Sequence, residues 1–314
     1  MILVVSLNPA IDRTCKVAEL KVGEVNRIKE VRSVAGGKGV NVARVLANFD
    51  ELVTLTGFLG GSTGREIERA VSELAVTSVF ITTVGATRMN TNVVAEDGSV
   101  TEILEPGAPI SEGEMDTFVV QYQALAAEAN VIVLSGSLPT GVPDDFYKTL
   151  VEKGHESGCK VILDTAGIAL KKAIEAGPDL IKPNVAELEE LIGRELSNGD
   201  EAMKAGSELV SKGVGAVVIS MGAKGLMYVG KDSAIIAMPP KVEAVNTVGC
   251  GDSAVAAIAM GIEHGERPAQ FLKQAAAISA VNATTLENGD IPRHKVDEIL
   301  QSIRMAKQKI ENNA

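Results

Sequence analysis

Val131-Ile132-Val133-Leu134-Ser135-Gly136-Ser137 is a run of four apolar residues, three of them β-branched, that passes without alternation into a small polar turn. A strand wetted on one face alternates, whereas a continuous run implies cover on both faces, as in a parallel sheet sandwiched by helices. The pattern recurs in Ile2-Leu3-Val4-Val5, Val161-Ile162-Leu163, Leu180-Ile181 and Val217-Val218-Ile219, with helical stretches between. This punctuation predicts an α/β fold with a mostly parallel sheet. Several runs end in residues able to do chemistry: Asn8 and Asp12, Ser135 to Ser137, Asp164, Lys182-Pro183-Asn184, and Ser220-Met221-Gly222. Ligands of open parallel sheets bind beyond the carboxyl ends of the strands, so these clusters point to one shared crevice.

The composition narrows what that crevice can serve. The 314 residues are 46% hydrophobic, 23% charged and 3% aromatic, a globular balance that fits two domains or one large core with an appendage. Lys plus Arg total 30 against 41 for Asp plus Glu, a net charge of −11, which argues against nucleic-acid and membrane-surface partners. An anionic ligand must therefore be drawn in by a local cluster of cations. Cys15, Cys159 and Cys250 are far apart and lack CxxC spacing, so neither a disulfide framework nor a zinc site is indicated and a reducing compartment is expected. The segment from Met1 to Pro9 has no basic n-region. The apolar stretch from Ala254 to Ile262 stops at Glu263, well short of the roughly 18 residues a membrane span needs. A soluble, cytoplasmic protein is expected.

Two glycine loops carry the chemistry. Asn246-Thr247-Val248-Gly249-Cys250-Gly251-Asp252-Ser253 reads as a turn opening a helix, where successive backbone N–H groups can converge on an anion with the helix dipole behind them. Asp252 within it can be an N-cap. It can equally be the base that takes a proton from a substrate hydroxyl as that hydroxyl attacks a phosphoryl group held on the neighbouring amides. The helix N-terminus predicts a lowered pKa for it. The same letters match GxGxxG/A, but that dinucleotide fingerprint belongs in the first βα unit, with an acid roughly 20 positions on. Here the loop lies late in the chain and Glu263 follows much sooner. The chain also lacks GxxxxGK[ST], HRD and DFG, so it is neither a P-loop enzyme nor a protein kinase. The second loop, Ala35-Gly36-Gly37-Lys38-Gly39-Val40-Asn41, precedes a helix. It can be a plain turn and helix start; with Asp12 it can be a polyol clamp, a carboxylate and an amide on adjacent hydroxyls with glycines beneath.

Gly36-Gly37-Lys38-Gly39-Val40-Asn41-Val42-Ala43-Arg44 together with Asn246 to Asp252 resembles the two signatures of the PfkB, or ribokinase-like, carbohydrate kinases. The likeness runs over nearly the whole chain through Leu7 to Asp12, Gly23 to Arg27, Ser135 to Pro139, Ile181 to Leu188 and Ser220 to Gly225. These segments are similar to the sugar-phosphate branch, which holds 1-phosphofructokinase, tagatose-6-phosphate kinase and a minor 6-phosphofructokinase. The resemblance implies a three-layer α/β/α sandwich with a small β-sheet lid, and an ATP- and Mg²⁺-dependent phosphotransferase. It makes Asp252 the base, with the amides of Gly249, Cys250 and Gly251 as its anion hole. Position 250 is usually alanine in the family; activity is expected to survive the cysteine, with a sensitivity to thiol reagents. Asn184 and Glu187 match the NxxE motif that organises Mg²⁺, which otherwise reads as a helix cap with a first-turn glutamate. Lys182, Asn184, Ser220, Gly222, Gly225 and Thr247 would line the nucleotide, and Asn282 would neighbour the adenine.

Residues 13–34 and 88–106 alternate more, and Asp97-Gly98 between two such runs signals a hairpin. They are expected to form the lid, or a clasp between two subunits, over a core of 1–12, 35–87 and 107–314. The substrate set implied is Asp12, Gly37, Lys38, Asn41 and Ser137, with Arg27, Lys38 and Arg88 as cations for a sugar phosphate. Gly23 to Arg27, Lys38 and Asn246-Thr247-Val248 look most like 1-phosphofructokinase. Thr101 to Glu105 looks like the tagatose enzyme, and Pro106 to Ala108 with Asn282 to Leu286 like the minor 6-phosphofructokinase. A hexose-phosphate kinase is therefore expected, with a non-catalytic sugar-phosphate sensor and a nicotinamide dehydrogenase as alternatives of other classes.

Overall fold

The computed structural model describes residues 1–309. Its strands are β1 (Ile2–Ser6), β2 (Ala10–Val17), β3 (Glu30–Gly36), β4 (Val53–Gly60), β5 (Thr77–Thr83), β6 (Arg88–Ala95), β7 (Val100–Ile103), β8 (Val131–Ser135), β9 (Lys160–Asp164), β10 (Leu180–Ile181), β11 (Val217–Ser220), β12 (Leu226–Val229), β13 (Ser233–Met238) and β14 (Arg304–Lys309). Its helices are α1 (Lys38–Asn48), α2 (Gly61–Ser72), α3 (Glu112–Ala126), α4 (Phe146–Glu156), α5 (Gly167–Ala173), α6 (Val185–Ile192), α7 (Gly199–Ser211), α8 (Cys250–Glu263), α9 (Pro268–Ala283) and α10 (Arg293–Ser302).

Among the described residues the large sheet has ten strands in the order β14-β13-β12-β11-β10-β9-β8-β1-β4-β5. The run from β11 through β5 is parallel, and β12, β13 and β14 continue it antiparallel. The continuous apolar runs are explained by two cores, one on each face. Ile2, Val4, Val131 and Val133 pack with α1, α8 and α9, while Leu3, Val5, Ile132 and Leu134 pack with α3, α4 and α7. Successive side chains of a strand point to opposite faces, so a strand between two helical layers needs an apolar residue at every position.

A second sheet of four strands, β3-β2-β6-β7, stands on this core. Its β6–β7 hairpin turns at Asp97-Gly98 and pairs Val94 with Val100. Its strands reach beyond residues 13–34 at both ends: β2 starts at Ala10 and β3 runs to Gly36, so Asp12 belongs to this sheet. The chain after Lys295 departs from the amphipathic helix its pattern suggests. The helix ends at Ser302, Ile303 is buried, and Arg304–Lys309 pairs antiparallel with β13. An open sheet edge next to the segment outweighs a modest helix preference. Glu311 to Ala314, expected as a fraying end, lie outside the described residues. No helix among the described residues is long and apolar enough to cross a membrane.

Candidate active site

The crevice lies where the carboxyl ends of the parallel strands meet the amino ends of α1 and α8. Gly249 is the N-cap of α8 in the left-handed conformation (φ 78°, ψ −4°), which a residue with a Cβ adopts at a cost. The Cys250 amide reaches Thr247 O at 3.4 Å, and the Gly251 amide has no acceptor among the described residues. Such unpaired first-turn donors suit an anion. The cap is therefore the glycine, and Asp252 is the third helical residue. Its buried carboxylate accepts no backbone N–H bond; Oδ2 accepts from Asn41 Nδ2 at 2.8 Å. The lowered pKa expected from the helix end is overturned. Burial, then the negative charge of Asp164, pushes the Asp252 carboxyl up to about 6, against the Asn41 hydrogen bond, Lys38 and Lys182.

α9 braces the loop from below. Ser279 Oγ donates to Cys250 O at 2.9 Å, and Asn282 Nδ2 donates to Val248 O at 2.9 Å. Asn282 Oδ1 accepts from the Gly289 amide at 2.9 Å and the residue is almost fully buried. Its amide is thus engaged inside the protein, because the loop's carbonyl and amide need internal partners. Burial also raises the pKa of the Cys250 thiol, so the reactive thiolate is disfavoured and the expected sensitivity to thiol reagents loses its physical basis.

A charge cluster lies behind the base. Asp164, at the end of β9, is fully buried, with Lys182 Nζ at 3.3 Å and Lys38 Nζ at 3.5 Å from Oδ1. Burial opposes its ionisation, but the two ammonium groups outweigh it and hold the carboxyl below the ordinary range. Lys38 is held above its usual value, first by Asp164 and against desolvation. Lys182 Nζ sits under the anion loop, 3.4 Å from where a Cβ on Gly251 would lie. Asn184 and Glu187 form a reciprocal cap on α6: Asn184 Oδ1 accepts from the Glu187 amide and Glu187 Oε2 from the Asn184 amide, both at 2.8 Å. Glu187 Oε1 remains, 3.9 Å from Lys38 Nζ. Asp164 Oδ2 and Ser135 Oγ, on paired ends of neighbouring strands, are buried without hydrogen-bond partners among the described residues. With Glu187 Oε1 left over from the cap and no group of three or more His, Cys, Asp or Glu side chains among the described residues that could hold an ion, the site suits a hydrated Mg²⁺ held through its waters better than a directly ligated ion.

On the sugar side, Asn90 Nδ2 donates to Asp12 Oδ1 at 2.8 Å. A Cβ on Gly36 would collide with the Asp12 carboxylate, so glycine is what lets that side chain lie across the loop. Gly37 caps α1, and Ser137 Oγ accepts from Asn8 Nδ2 at 3.1 Å. The three expected phosphate cations are not brought together. Lys38 faces Asp164 and Glu187, drawn by two carboxylates. Arg88 spends Nε and Nη2 on Asn8 O and Nη1 on Glu105 O and Asn90 Oδ1. Arg27 stands on the exposed loop between β2 and β3 and makes no ion pair among the described residues. On the nucleotide side, Asn184 and Ser220 form a bridge at the ends of β10 and β11, and Gly222 and Thr247 are exposed nearby. Gly225 is buried, where a Cβ would collide with the Ala237 carbonyl, so it serves strand contact. Asp164 was legible as a strand-end residue of the crevice, but its role as the partner of two lysines was not. Asn90 carries no motif of its own, and Arg44 closes the first signature without an assigned role, so only their partners mark what they do.

The sequence profile of the pfkB family of carbohydrate kinases matches residues 1–292. Among solved structures, a Staphylococcus aureus protein provisionally called a phosphofructokinase is 31% identical, with 99% of this chain and 100% of that chain covered and a TM-score of 0.85. Escherichia coli phosphofructokinase-2, in its tetrameric inhibited form, is 28% identical over 96% of this chain and 98% of its own, with a TM-score of 0.89. A Thermotoga maritima protein provisionally called a 1-phosphofructokinase shares the fold at 24% identity, with 99% and 100% coverage and a TM-score of 0.87.

Proposed function

The chain belongs to the pfkB family of carbohydrate kinases, and from that premise we propose that it phosphorylates the C6 hydroxyl of D-fructose 1-phosphate with MgATP, giving fructose 1,6-bisphosphate and ADP. That it is a phosphofructokinase-like sugar kinase, transferring phosphate to an alcohol, follows from the family and the structural neighbours. The observation that carries the assignment of the base is Asp252: a buried carboxylate with a pKa near 6, oriented by Asn41 at 2.8 Å and set in the first turn of a helix whose Gly251 amide has no acceptor among the described residues. A base with such a pKa is ionised at neutral pH and still basic enough to take the proton as the hydroxyl attacks phosphorus. Asp12 and Asn90 would hold the sugar hydroxyls, and Lys38 and Lys182 would face the transferring phosphoryl group beside the amides of Gly249, Cys250 and Gly251. Mg²⁺, when bound through Glu187 and water, supplies charge neutralisation on the phosphate oxygens.

The fructose 1-phosphate reading rests on Gly23 to Arg27, Lys38 and Asn246-Thr247-Val248, with Arg27 as the uncommitted cation for the sugar phosphate. Fructose 6-phosphate is a second reading, favoured because Escherichia coli phosphofructokinase-2 has been solved with that sugar at 27% identity; tagatose 6-phosphate is the third. The four-stranded sheet serves as a lid that excludes water, because an open site would hydrolyse ATP. A coupled assay with the three sugar phosphates side by side and an Asp252→Asn variant tests the proposal. Fructose 1-phosphate should give the highest kcat/KM, and the variant should lose at least about a hundredfold in kcat. A loss below about tenfold, worth some 1.4 kcal/mol of barrier, would remove Asp252 as the base.

A further inference from the structure

We propose that Arg44 is a positioning residue for phosphoryl transfer: its guanidinium fixes the side-chain amide of Asn41 so that Nδ2 donates to Asp252, and ties that pair to the loops on both sides of the crevice. The inference rests on Asp252 being the base. Arg44 lies on α1 three residues after Asn41, and its Nη1 is 3.0 Å from Asn41 Oδ1. A guanidinium has donors and no acceptor, so the atom of Asn41 that faces it must be the oxygen. The NH₂ group is then turned the other way, where it meets Asp252 Oδ2 at 2.8 Å. Asn41 is buried, so its amide has no water to turn to. Among the described residues the only side-chain partners of that amide are Arg44 and Asp252, so without Arg44 its orientation rests on Asp252 alone.

The same guanidinium reaches further. Nη2 donates to Ala35 O at 2.6 Å, immediately before the Gly36-Gly37 loop, and Nη1 also reaches Asn288 O at 3.3 Å. Asn288 in turn accepts from Asn246 Nδ2 at 2.9 Å and lies against Gly249, whose Cβ would stand 3.0 Å from its own. One half-buried cation thus joins the sugar loop, the holder of the base and the loop beside the anion hole. Among the described residues no carboxylate pairs with Arg44 directly; Glu287, Asp12 and Asp252 act on it at longer range. A surface ion pair is therefore not its purpose, and its hydrogen bonds all go to oxygens whose placement the site needs.

The test uses the full-length enzyme with Arg44→Gln and Arg44→Lys, each alone and with Asn41→Ala, in pH profiles of kcat and KM. The other charged groups around Asp252, namely Asp164, Lys38 and Lys182, stay in place. Arg44→Gln should lower kcat about tenfold, the order set by losing a hydrogen bond to a charged group, and move the acid limb of kcat to higher pH while leaving the KM for ATP unchanged. Arg44→Lys keeps the charge but cannot hold three oxygens, so it should show the same upward movement in smaller measure. In the Asn41→Ala background either change should cost less than about twofold, because the partner it acts through is gone. An unmoved acid limb in the folded Arg44→Lys enzyme would overturn the proposal. So would an equal loss with and without Asn41, since a mere brace between loops would give that result. Asp252→Asn is run alongside: if it retained wild-type turnover, the base assignment would fail and this role with it. That result differs from an Arg44 variant with an unmoved limb beside an inactive Asp252→Asn.

Discussion

Asp252 is where opposing electrostatic effects are most finely set. Desolvation and Asp164 favour its neutral form, while Asn41, Lys38 and Lys182 favour the charged one, and the balance lies near 6 against an ordinary 3.8. The consequence for activity is an acid limb in kcat/KM near pH 6. The consequence for stability has the opposite sense to that of a salt-bridged carboxylate. Between about pH 4 and pH 6 the native state binds the proton and the unfolded chain does not, so the stability contributed by the protonated group is present below 3.8 and is lost as pH rises to 6. Asp252→Asn should therefore stabilise the protein at neutral pH by on the order of 1–3 kcal/mol, a gain that disappears below about pH 4. Denaturant titrations at the two pH values check this; equal gains at both would show that the carboxylate is not held at an energetic cost. The residue type and its place in a glycine loop were legible in the sequence, but the sign of the pKa shift was not. A helix end is a local feature, whereas burial and the approach of Asp164 come from packing α8 against β9.

At the scale of elements, the parallel strands were readable because burial on both faces leaves an unbroken apolar run, as Ile2 to Val5 shows. β12, β13 and β14 were not. β14 is Arg304–Lys309, a segment with three basic residues and no acidic one, whose strand state depends on the open edge of β13. Met238 pairs with Arg304 and Ser233 with Lys309, so the register spans the whole of β13. Truncation after Ile303 should expose this edge and lower Tm by about 5–10 °C, with the loss of solubility typical of an unprotected strand. Thermal melting and size-exclusion chromatography measure both effects, and an unchanged Tm would show that β14 adds nothing to the sheet. The Asn184–Glu187 box shows the converse case. Its spacing was legible as either cap or metal motif, and the structure realises the cap while leaving Glu187 Oε1 facing the cluster.

The four-stranded sheet carries the question of assembly for the whole molecule. Val31, Val34, Val100, Ile103 and Leu104 are exposed on it, and Val100 and Ile103 remain 57% and 56% accessible. We infer that a second copy presenting the same sheet covers this apolar surface. Ile103→Glu should convert a dimer to monomer in sedimentation velocity; a wild-type chain that sediments as a monomer at micromolar concentration would end this idea. What the sequence by itself determined is the α/β class, the hairpin at Asp97-Gly98 and the two glycine loops. These depend on short-range rules: periodicity of burial, turn chemistry and the convergence of amides at a helix start. What only the tertiary structure decided is which charges meet. Lys38 turns to Asp164 and Glu187, Arg88 binds backbone carbonyls, and Arg44 orients Asn41 against Asp252, 211 positions away from it in the chain. Coulomb forces and hydrogen bonds act over a few ångströms of space, and a linear sequence does not record such distances.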